Sequence, residues 1–499
     1  MEIVLESKTM TTWQEVFHQT KRIQVSLESV VPDVSDDIGR ILSVQPSLLL
    51  KAKEPTAQGM SVSGEVAVAI LYINELENGV SALRMTQPFC LDYELVAGPE
   101  AAAQIQMQVT NTETHILNPR KLSVSVEISG ELKVFQPSVL PVETFVPNTE
   151  GSGVQVQQAQ TKTSAVNAVC EKSFVLSEQF LFPSGKPAPR ELVSQSLDFR
   201  IRDQQLIGSK VLLKGELCLT VCTLSDEVNY PIQTEFSAPF SQLVDIGQDS
   251  MDGCCILVEP TAVYTDLTET MNGEKAINAE IHAVAQLVCH CDRTVSYVSD
   301  AYSVLMPCSL NTETLPLAVA SQMQSVLLSA DERVELPDDC DDVLAVFPSI
   351  SQASLGGGKA FAAVTADVLY RTGSGTLGCI RRACAMESPC DSEGAQLMGA
   401  QLVESVFRPE GTYLNLRLTV ELSIERFMEQ ELSRVVGLTL DDTQLYDLPS
   451  LPALTAVRVG EETLWELAKH YHATPEHIAA LNDVDAPLNG RVLLIPRGI

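Results

Sequence analysis

The stretch Leu122-Ser123-Val124-Ser125-Val126-Glu127-Ile128 alternates strictly between apolar and polar residues. A period of two places one set of side chains in a core and the other in water, which is typical of a half-buried β-strand. Residues 414–425 alternate in the same way, and residues 277–291 place Ile, Ala, Leu and Cys at every second position. Parallel pairing needs crossover helices, for which we find no pattern, so the sequence predicts antiparallel sheets.

The chain around this stretch repeats itself. Two copies carry Gly-Glu and then Pro-Phe at the same spacing, Gly64-Glu65 with Pro88-Phe89 and Gly215-Glu216 with Pro239-Phe240. A third, weaker copy has Leu369-Tyr370 where the first has Leu71-Tyr72, and Pro389 lies near the expected place. Long internal repeats of this kind predict one structural unit per copy.

Turn-forming segments divide each copy at corresponding places. A first break separates two apolar-rich stretches, at residues 54–59, 202–208 and 354–359. A shorter strand is predicted to end at the Pro near 88, 239 or 389, and a second break follows at residues 118–119, 272–273 and 409–411. These signals predict about five strands per copy.

The patterns predict a mainly β protein with three tandem antiparallel, sandwich-like domains and a small βααβ domain at the C-terminal end. The segment between the first two copies is rich in Gln, Thr, Ser and Val, which is typical of a linker with an edge strand. The predicted boundaries are 1–137 for the first domain, 138–172 for the linker, 173–310 and 311–440 for the next two domains, 441–452 for a second linker and 453–499 for the last domain.

The charge composition excludes one class of partner. The 499 residues hold 33 Lys and Arg against 65 Asp and Glu, a formal net charge of −32. A protein that binds nucleic acid needs clustered basic side chains, and this chain would repel a polyanion or an anionic membrane surface. Since 45% of the residues are hydrophobic, the chain has enough apolar side chains to build cores.

The start of the sequence and its cysteines predict a cytoplasmic protein. Residues 1–8 lack a basic region followed by an apolar one, so no signal peptide is expected. No window reaches the roughly 18 continuous apolar residues of a membrane span. The 13 cysteines follow no regular spacing and are expected to be free thiols in a reducing compartment.

From Val457 the sequence changes to the pattern of a βααβ unit. Thr463 is placed to cap a helix whose apolar residues share one face, namely Leu464, Leu467, Ala468 and Tyr471. Thr474, followed by Pro475, is placed to start a second helix. Residues 492–495 then predict a closing strand.

Residues 457–496 resemble a LysM domain. The matching residues are Thr463-Leu464-Trp465, Leu467-Ala468, Leu481-Asn482, Gly490 and Leu493-Leu494-Ile495-Pro496. The three β-rich copies resemble the SPOCS domain in their Gly-Glu, Leu-Tyr and Pro-Phe motifs and in their strand order. Tandem SPOCS domains ahead of a C-terminal LysM domain are typical of spore coat assembly proteins of spore-forming bacteria.

This resemblance implies a non-enzymatic morphogenetic adaptor. Such a protein is made in the mother cell and placed at the outer forespore surface, within the spore coat. Its LysM domain would dock on the morphogenetic ATPase that polymerises as the basement layer of the coat. Its β repeats would serve as a scaffold that contacts other coat proteins.

An alternative function is binding to peptidoglycan or N-acetylglucosamine oligomers, which LysM domains of other proteins perform. The resemblance places the recognition groove between two loops, which consist of Gly460, Glu461, Glu462 and Thr463 in the first and Asn482, Asp483, Val484 and Asp485 in the second. The usual Gly-Asp/Glu-Thr-Leu motif is altered here, because Glu461 takes the position of the glycine and Gly460 lies one residue earlier. These acidic loops fit a polar protein interface at least as well as a sugar.

A possible zinc site has a simpler interpretation. Cys289-His290-Cys291, with Cys254-Cys255 upstream, holds metal-ligating residue types. Strand phase puts Cys289 and Cys291 in the inward register and His290 on the other side, so one ion cannot easily reach all three. Cysteines buried as small apolar residues are therefore favoured.

The aromatic and histidine residues of the last domain also have structural interpretations. His470, His472 and His477 lack the spacing of a helical metal pair, which favours a solvated or helix-capping role. Trp465 is a candidate for stacking on a sugar, but its helical spacing with Leu464 and Ala468 favours a place in the core.

Catalytic motifs are absent from the sequence. There is no nucleophile elbow and no His-Glu-x-x-His motif. Gly356-Gly357-Gly358 lies in a predicted hairpin turn and lacks the Lys-Ser/Thr of a phosphate-binding loop. We therefore expect neither enzymatic activity nor a metal or other cofactor.

Overall fold

The computed structural model shows a chain made mainly of antiparallel β-sheet. It describes residues 2–33, 35–76, 79–145, 152–450, 452–484 and 487–497, without the side chains of residues 319–322 and 427. Every strand pairing in this part of the chain is antiparallel. The predicted class, mainly β with antiparallel sheets, is confirmed.

The first unit packs two sheets face to face. Its six strands are β2 (Glu6–Val30), β3 (Ile38–Thr56), β4 (Gly59–Asn74), β5 (Val80–Glu94), β6 (Ala102–Asn118) and β7 (Lys121–Phe145). The strand orders are β3-β4-β5 in one sheet and β2-β7-β6 in the other. The alternation predicted for β7 is confirmed, because Leu122, Val124 and Val126 are fully buried in the same core as Val62 and Val66 of β4.

The second and third units repeat this arrangement strand for strand. The second unit consists of β8 (Val154–Leu181), β9 (Pro189–Ile207), β10 (Lys210–Ser225), β11 (Ile232–Asp245), β12 (Gly253–Glu269) and β13 (Lys275–Ser303). The third consists of β14 (Cys308–Glu335), β15 (Cys340–Gly356), β16 (Lys359–Thr372), β17 (Leu377–Pro389), β18 (Ala395–Glu410) and β19 (Tyr413–Leu440). Each unit therefore has six strands where the sequence predicted about five, and the third copy has as many as the others.

The repeated Gly-Glu and Pro-Phe motifs are cross-strand partners. Gly64 lies opposite Phe89, and Gly215 lies opposite Phe240. A Cβ atom at Gly64 would lie 2.3 Å from Cζ of Phe89, so the ring occupies the space over the glycine. The third unit places Ala362 opposite Met386 at the corresponding site. The motif is therefore a packing arrangement of the first two units.

The prediction that a strand ends at the Pro near 88 and 239 is wrong. β5 continues to Glu94 and β11 to Asp245. Both are outer strands of their sheets, where a residue without an N–H group is tolerated. At Pro389 the strand β17 does end.

The first and last strands of each unit extend beyond its sandwich as a two-stranded ribbon, and the three ribbons pack together into a stem. All three units contribute to one stem cluster, which includes Met10, Val142, Val295, Leu317 and Leu432. At the other end of the sandwiches a second cluster again joins all three units, with Leu71, Leu224 and Leu369 among its members. The units thus surround a common axis. The longest strand, β13, has 29 residues and spans about 90 Å.

Strands occupy much of the segment 138–172 that the sequence predicted to be a linker. Residues 138–145 belong to β7 and residues 154–172 to β8. The polar composition of this segment suits the stem, where side chains bond to a neighbouring ribbon. Thr163 Oγ1, for example, donates to the carbonyl of Ala318 in the third unit at 2.9 Å.

The start of the chain closes the ring of units. β1 (Glu2–Val4) pairs with β19 of the third unit, whereas β2 pairs with β7 of the first. Ile3 and Leu5 are buried there beside Leu438. The first residues therefore bridge two units that are far apart in sequence.

The C-terminal module lies against the stem. It consists of β20 (Leu454–Arg458), α1 (Leu464–His470), α2 (Pro475–Leu481) and β21 (Val492–Pro496). β20 and β21 pair antiparallel, and Leu467, Ile478 and Leu493 share its core. The segment 441–452, predicted to be a linker, contains a 3-10 helix at Leu448–Ser450 and is bonded to the stem, since the N–H of Tyr446 donates to the carbonyl of Leu305 at 2.9 Å.

Candidate functional site

The first predicted recognition loop is shaped by the start of α1. Thr463 Oγ1 accepts the N–H of Glu466, and Glu466 Oε2 accepts the N–H of Thr463 at 2.7 Å. This reciprocal capping box satisfies two amides that the helix leaves free. The bond from the Thr463 amide, aided by its hydroxyl, lowers the pKa of Glu466. Glu462 folds the loop on the other side, because its Oε2 accepts the N–H of Gly460 at 2.8 Å.

The second predicted loop is held by Asn482. Its Nδ2 donates to the carbonyls of Ile478 and Leu494, both at 2.7 Å, and its Oδ1 accepts the N–H of Leu494 at 2.8 Å. These bonds join α2 to β21. Asn482 is therefore a structural residue of the module, and its side-chain amide is already engaged by the backbone.

The structure brings the two loops to the same end of the small sheet. The N–H of Val459 donates to the carbonyl of Arg491, and the Arg491 guanidinium lies 3.9 Å from the carboxylate of Asp483. The four residues of the first loop, 460–463, are exposed, as is Asp483, whereas Val484 is half-buried. Asp485 lies outside the described residues. The side chains that the loops present to solvent are mostly carboxylates.

Trp465 faces the stem instead of the loops. Its ring packs edge-on against Tyr302 of β13 with ring centroids 4.9 Å apart, and its Nε1 donates to Asp300 Oδ2 at 2.8 Å. Lys469, one turn later on α1, donates to the same carboxylate at 2.7 Å. Tyr302 Oη donates to the carbonyl of Ala473 at 2.6 Å. These three hydrogen bonds and the ring contact fix the orientation of the module on the stem.

The electrostatics of this docking contact favour its hydrogen bonds. Burial, with smaller effects from Glu476 and Asp300, raises the pKa of Tyr302, so its hydroxyl stays protonated and donates. The pair of Lys469 and Asp300 is 43% and 21% exposed, so water screens part of its attraction. The contact is thus held by directed hydrogen bonds more than by net charge.

The histidines of the module differ in their surroundings. His472 stacks on Tyr446 with ring centroids 3.8 Å apart, and its backbone has the left-handed φ of 53°. Burial and then the neighbouring His470 lower the pKa of His472, so it is a neutral packing residue at neutral pH. His477 is exposed on α2. The predicted solvated or capping role therefore does not fit His472.

The docking residues of the stem were missed from the sequence. Asp300, Tyr302 and Tyr446 carry no local motif, since each contacts the module only through the tertiary fold. The helical pattern correctly placed Trp465 among packed side chains, but it could not identify a partner in β13. Predicting that Trp465 lies at an interface would require knowledge of contacts between distant segments.

Within the possible zinc site Cys254 and Cys289 are in contact, but Cys255 faces Gln104 and His290 faces the third unit, so the group does not converge on one point. Cys289 and Cys291 are buried, as predicted, and Cys289 belongs to the core of the second unit. His290 lies on the other side, with its Nε2 2.7 Å from Glu425 Oε1 of the third unit. Among the described residues no three His, Cys, Asp or Glu side chains are grouped to hold a metal ion.

A cavity of about 330 Å³ lies on the outer face of the first unit. It is open to solvent and lined chiefly by polar groups that contact one another. Gln24 donates to Ser125 at 2.6 Å, and Arg22 lies 3.7 Å from Glu127. These mutual contacts are typical of a solvated sheet face, and the exposed loops of the module remain the stronger candidate site.

The helices α1 and α2 have 7 residues each. No helix in the part of the chain that the structure describes is long and apolar enough to cross a membrane.

Comparisons with protein-family models, with curated proteins and with solved structures found no match for this chain.

Proposed function

We propose that this protein is a non-enzymatic adaptor of spore coat assembly in the mother cell. In this proposal the C-terminal module is a LysM domain that docks on the coat ATPase at the outer forespore surface. The three β units are SPOCS domains that form the scaffold for other coat proteins. The observation that carries the proposal is the exposure of residues 460–463 and Asp483 on a module that is fixed to the stem through Trp465 and Ala473.

The chemistry of the loops favours a protein partner over a glycan. Residues 460–463 and 482–485 include no aromatic residue, and the tryptophan nearest to them in sequence is engaged by Tyr302 and Asp300. Glu461, Glu462 and Asp483 instead present carboxylates, which suit a basic protein surface by electrostatic complementarity. We therefore place the partner's basic groups opposite these loops.

The form of the body supports the scaffold role. Three sandwiches and a stem that share buried clusters form a rigid support along strands of up to 29 residues. The formal net charge of −32 discourages association between sheet edges of neighbouring copies. A rigid, acidic body with a module at the stem suits a spacer between two layers of an assembly.

Charge reversal of the loops tests the proposal. The double variant Glu461→Lys/Asp483→Lys leaves the capping box and Asn482 intact, so the module should still fold. Its matched control is Glu94→Lys/Glu100→Lys, which makes the same charge change at exposed positions of the first unit. We expect capture of the ATPase from sporulating cells to fall by about tenfold or more for the loop variant only. Equal capture of both variants would reject the proposed docking site.

Localisation provides a second readout. A fluorescent fusion of the loop variant should lose its ring at the forespore, whereas the control should keep it. Charge reversal is sharper than removal of 453–499, because removal would also expose Tyr302. Saturable binding of the unmodified protein to insoluble peptidoglycan, displaced by N-acetylglucosamine oligomers, would instead support the alternative function as a glycan-binding protein.

A further inference from the structure

Two cysteines of the second unit that the proposed function does not use lie in direct contact. Cys254 of β12 and Cys289 of β13 are opposed across the antiparallel pair, and their Sγ atoms are 2.7 Å apart. Both side chains are buried in the core of the unit. The next cysteine in the chain, Cys255, points instead toward Gln104 of the first unit.

The position of this pair suits a disulfide. Directly opposed residues of antiparallel strands have Cα atoms about 4.5 to 5.5 Å apart. A disulfide spans Cα separations of about 4.4 to 6.8 Å, so it would need no change of strand register. We propose that Cys254 and Cys289 form a modification site, a dithiol that a disulfide oxidant such as oxidised glutathione converts to an intramolecular disulfide.

The reaction balances as two thiol–disulfide exchanges. The thiolate of Cys254 attacks one sulfur of oxidised glutathione, a mixed disulfide forms, and one glutathione leaves as its thiolate. The thiolate of Cys289 then attacks the Cys254 sulfur and releases the second glutathione. The two protein thiols lose two electrons and two protons, and one oxidised glutathione becomes two reduced ones.

The fold controls when the pair reacts. Burial raises the pKa of Cys254, so in the closed structure its thiol is a poor nucleophile. Cys254 is the second residue of β12, which is the outer strand of its sheet, so fraying of the strand end exposes both sulfurs. The pair therefore stays reduced in a reducing compartment and reacts slowly after transfer to an oxidising one.

The disulfide would strengthen the body beyond the second unit. β12 also contacts the first unit, where Glu259 Oε1 accepts the N–H of Met107 at 3.3 Å. A disulfide between the start of β12 and β13 prevents this end of β12 from separating from the sheet. An assembled scaffold would thus become more resistant to unfolding after oxidation, whatever its partner.

The full chain, purified in the reduced state and incubated with oxidised glutathione, tests this assignment. Remaining thiols are alkylated at intervals, and peptides are mapped by mass spectrometry. We expect a Cys254–Cys289 linkage and a Tm about 3 to 8 °C higher, both reversed by a reductant. The exposed Cys90 serves as an internal control, because its adduct with glutathione shows that the oxidant is active.

Single substitutions separate this linkage from other thiol chemistry. Cys254→Ala and Cys289→Ala should each lose the linkage and the rise in Tm. Cys170→Ser should keep the linkage and the rise in Tm, because Cys170 on β8 lies opposite Leu287 of β13 and not opposite Cys289. A Cys170–Cys289 linkage, glutathione adducts alone, or two reduced thiols after Cys90 has fully reacted would each overturn the assignment. The peptide map of the unmodified chain decides among these outcomes even if a variant fails to fold.

Discussion

Two contacts join segments that are far apart in sequence, one between the first two units and one between the module and the stem. They differ in how deeply their hydrogen bonds are buried. Between the units, the buried Gln286 bonds both backbone groups of Ile105, and Glu259 is enclosed nearby. The module is held by the buried Tyr302 and by bonds to the half-buried Asp300 near the end of β13, where its partners Trp465 and Lys469 are partly exposed. A buried polar contact makes its two sides unfold together, whereas a partly exposed contact of a few bonds can open alone.

Removing the buried amide should have the largest effect. Gln286 Oε1 accepts the N–H of Ile105 at 3.0 Å and a bond from Lys53 at 2.8 Å, and its Nε2 donates to the carbonyl of Ile105 at 2.8 Å. Gln286→Ala leaves both backbone groups of Ile105 without this partner in a buried place and removes one of the bonds of Lys53, so it should lower the free energy of unfolding by about 3 to 5 kcal/mol. Urea unfolding measures this change.

The matched control for this variant is Gln179→Ala. Gln179 is exposed and bonds to Asn278 at 2.8 Å on the surface of the same unit. Its loss should cost about 0.5 kcal/mol or less. If both variants unfold at the same urea concentration, the bonds of Gln286 do not make the first two units unfold together.

The same interface should make stability depend on pH. Burial raises the pKa of Glu259 from 4.5 to about 8, against the opposing effects of the Met107 amide and Lys53. The folded protein therefore keeps a proton that the unfolded chain releases, so stability falls as pH rises from 4.5 to 8. The loss at the upper end should approach about 4 kcal/mol.

Glu259→Gln isolates this effect, because the amide keeps an acceptor for Met107 without a charge. Its free energy of unfolding should vary less between pH 4.5 and pH 8 than that of the unmodified protein, and it should be the more stable protein at the upper end. Urea titrations across this window measure the difference. Parallel pH profiles for the two proteins would contradict the burial of a protonated carboxyl at this interface.

Opening the docking contact should have a smaller, local effect. Asp300→Ala removes the acceptor for Trp465 Nε1 and for Lys469, at a cost of about 1 to 2 kcal/mol. Hydrogen exchange of the amides in residues 464–470 should become about tenfold faster, with the urea midpoint of the body unchanged. Asp266→Ala, at an exposed position of β12, is the control. A shift of the body's midpoint would show that the module is part of its cooperative unit.

The sequence predicted those features that depend on neighbours along the chain. Alternation identified β7, and the caps at Thr463 and Thr474 identified both helices. Features that depend on contacts between distant segments were missed. The role of Pro88 depends on β5 being an outer strand, and the burial of His290 depends on Glu425 of another unit. Trp465 illustrates both cases, because periodicity predicted that it packs but not that it packs on Tyr302.

The smallest expected effect lies inside the module. Thr463→Ala removes the cap oxygen that accepts the N–H of Glu466, which should cost the module about 1 kcal/mol. Exchange of the first amides of α1 should become faster, whereas Thr455→Ala on β20, which removes a hydroxyl without a capping role, should leave it unchanged. The N–H of Ala473, whose carbonyl accepts the Tyr302 hydroxyl, donates to the carbonyl of Ala468 and should keep its protection. If the variant instead loosened the docking contact as much as Asp300→Ala does, the module would order itself only on the stem, and its two contacts could not be treated as separate.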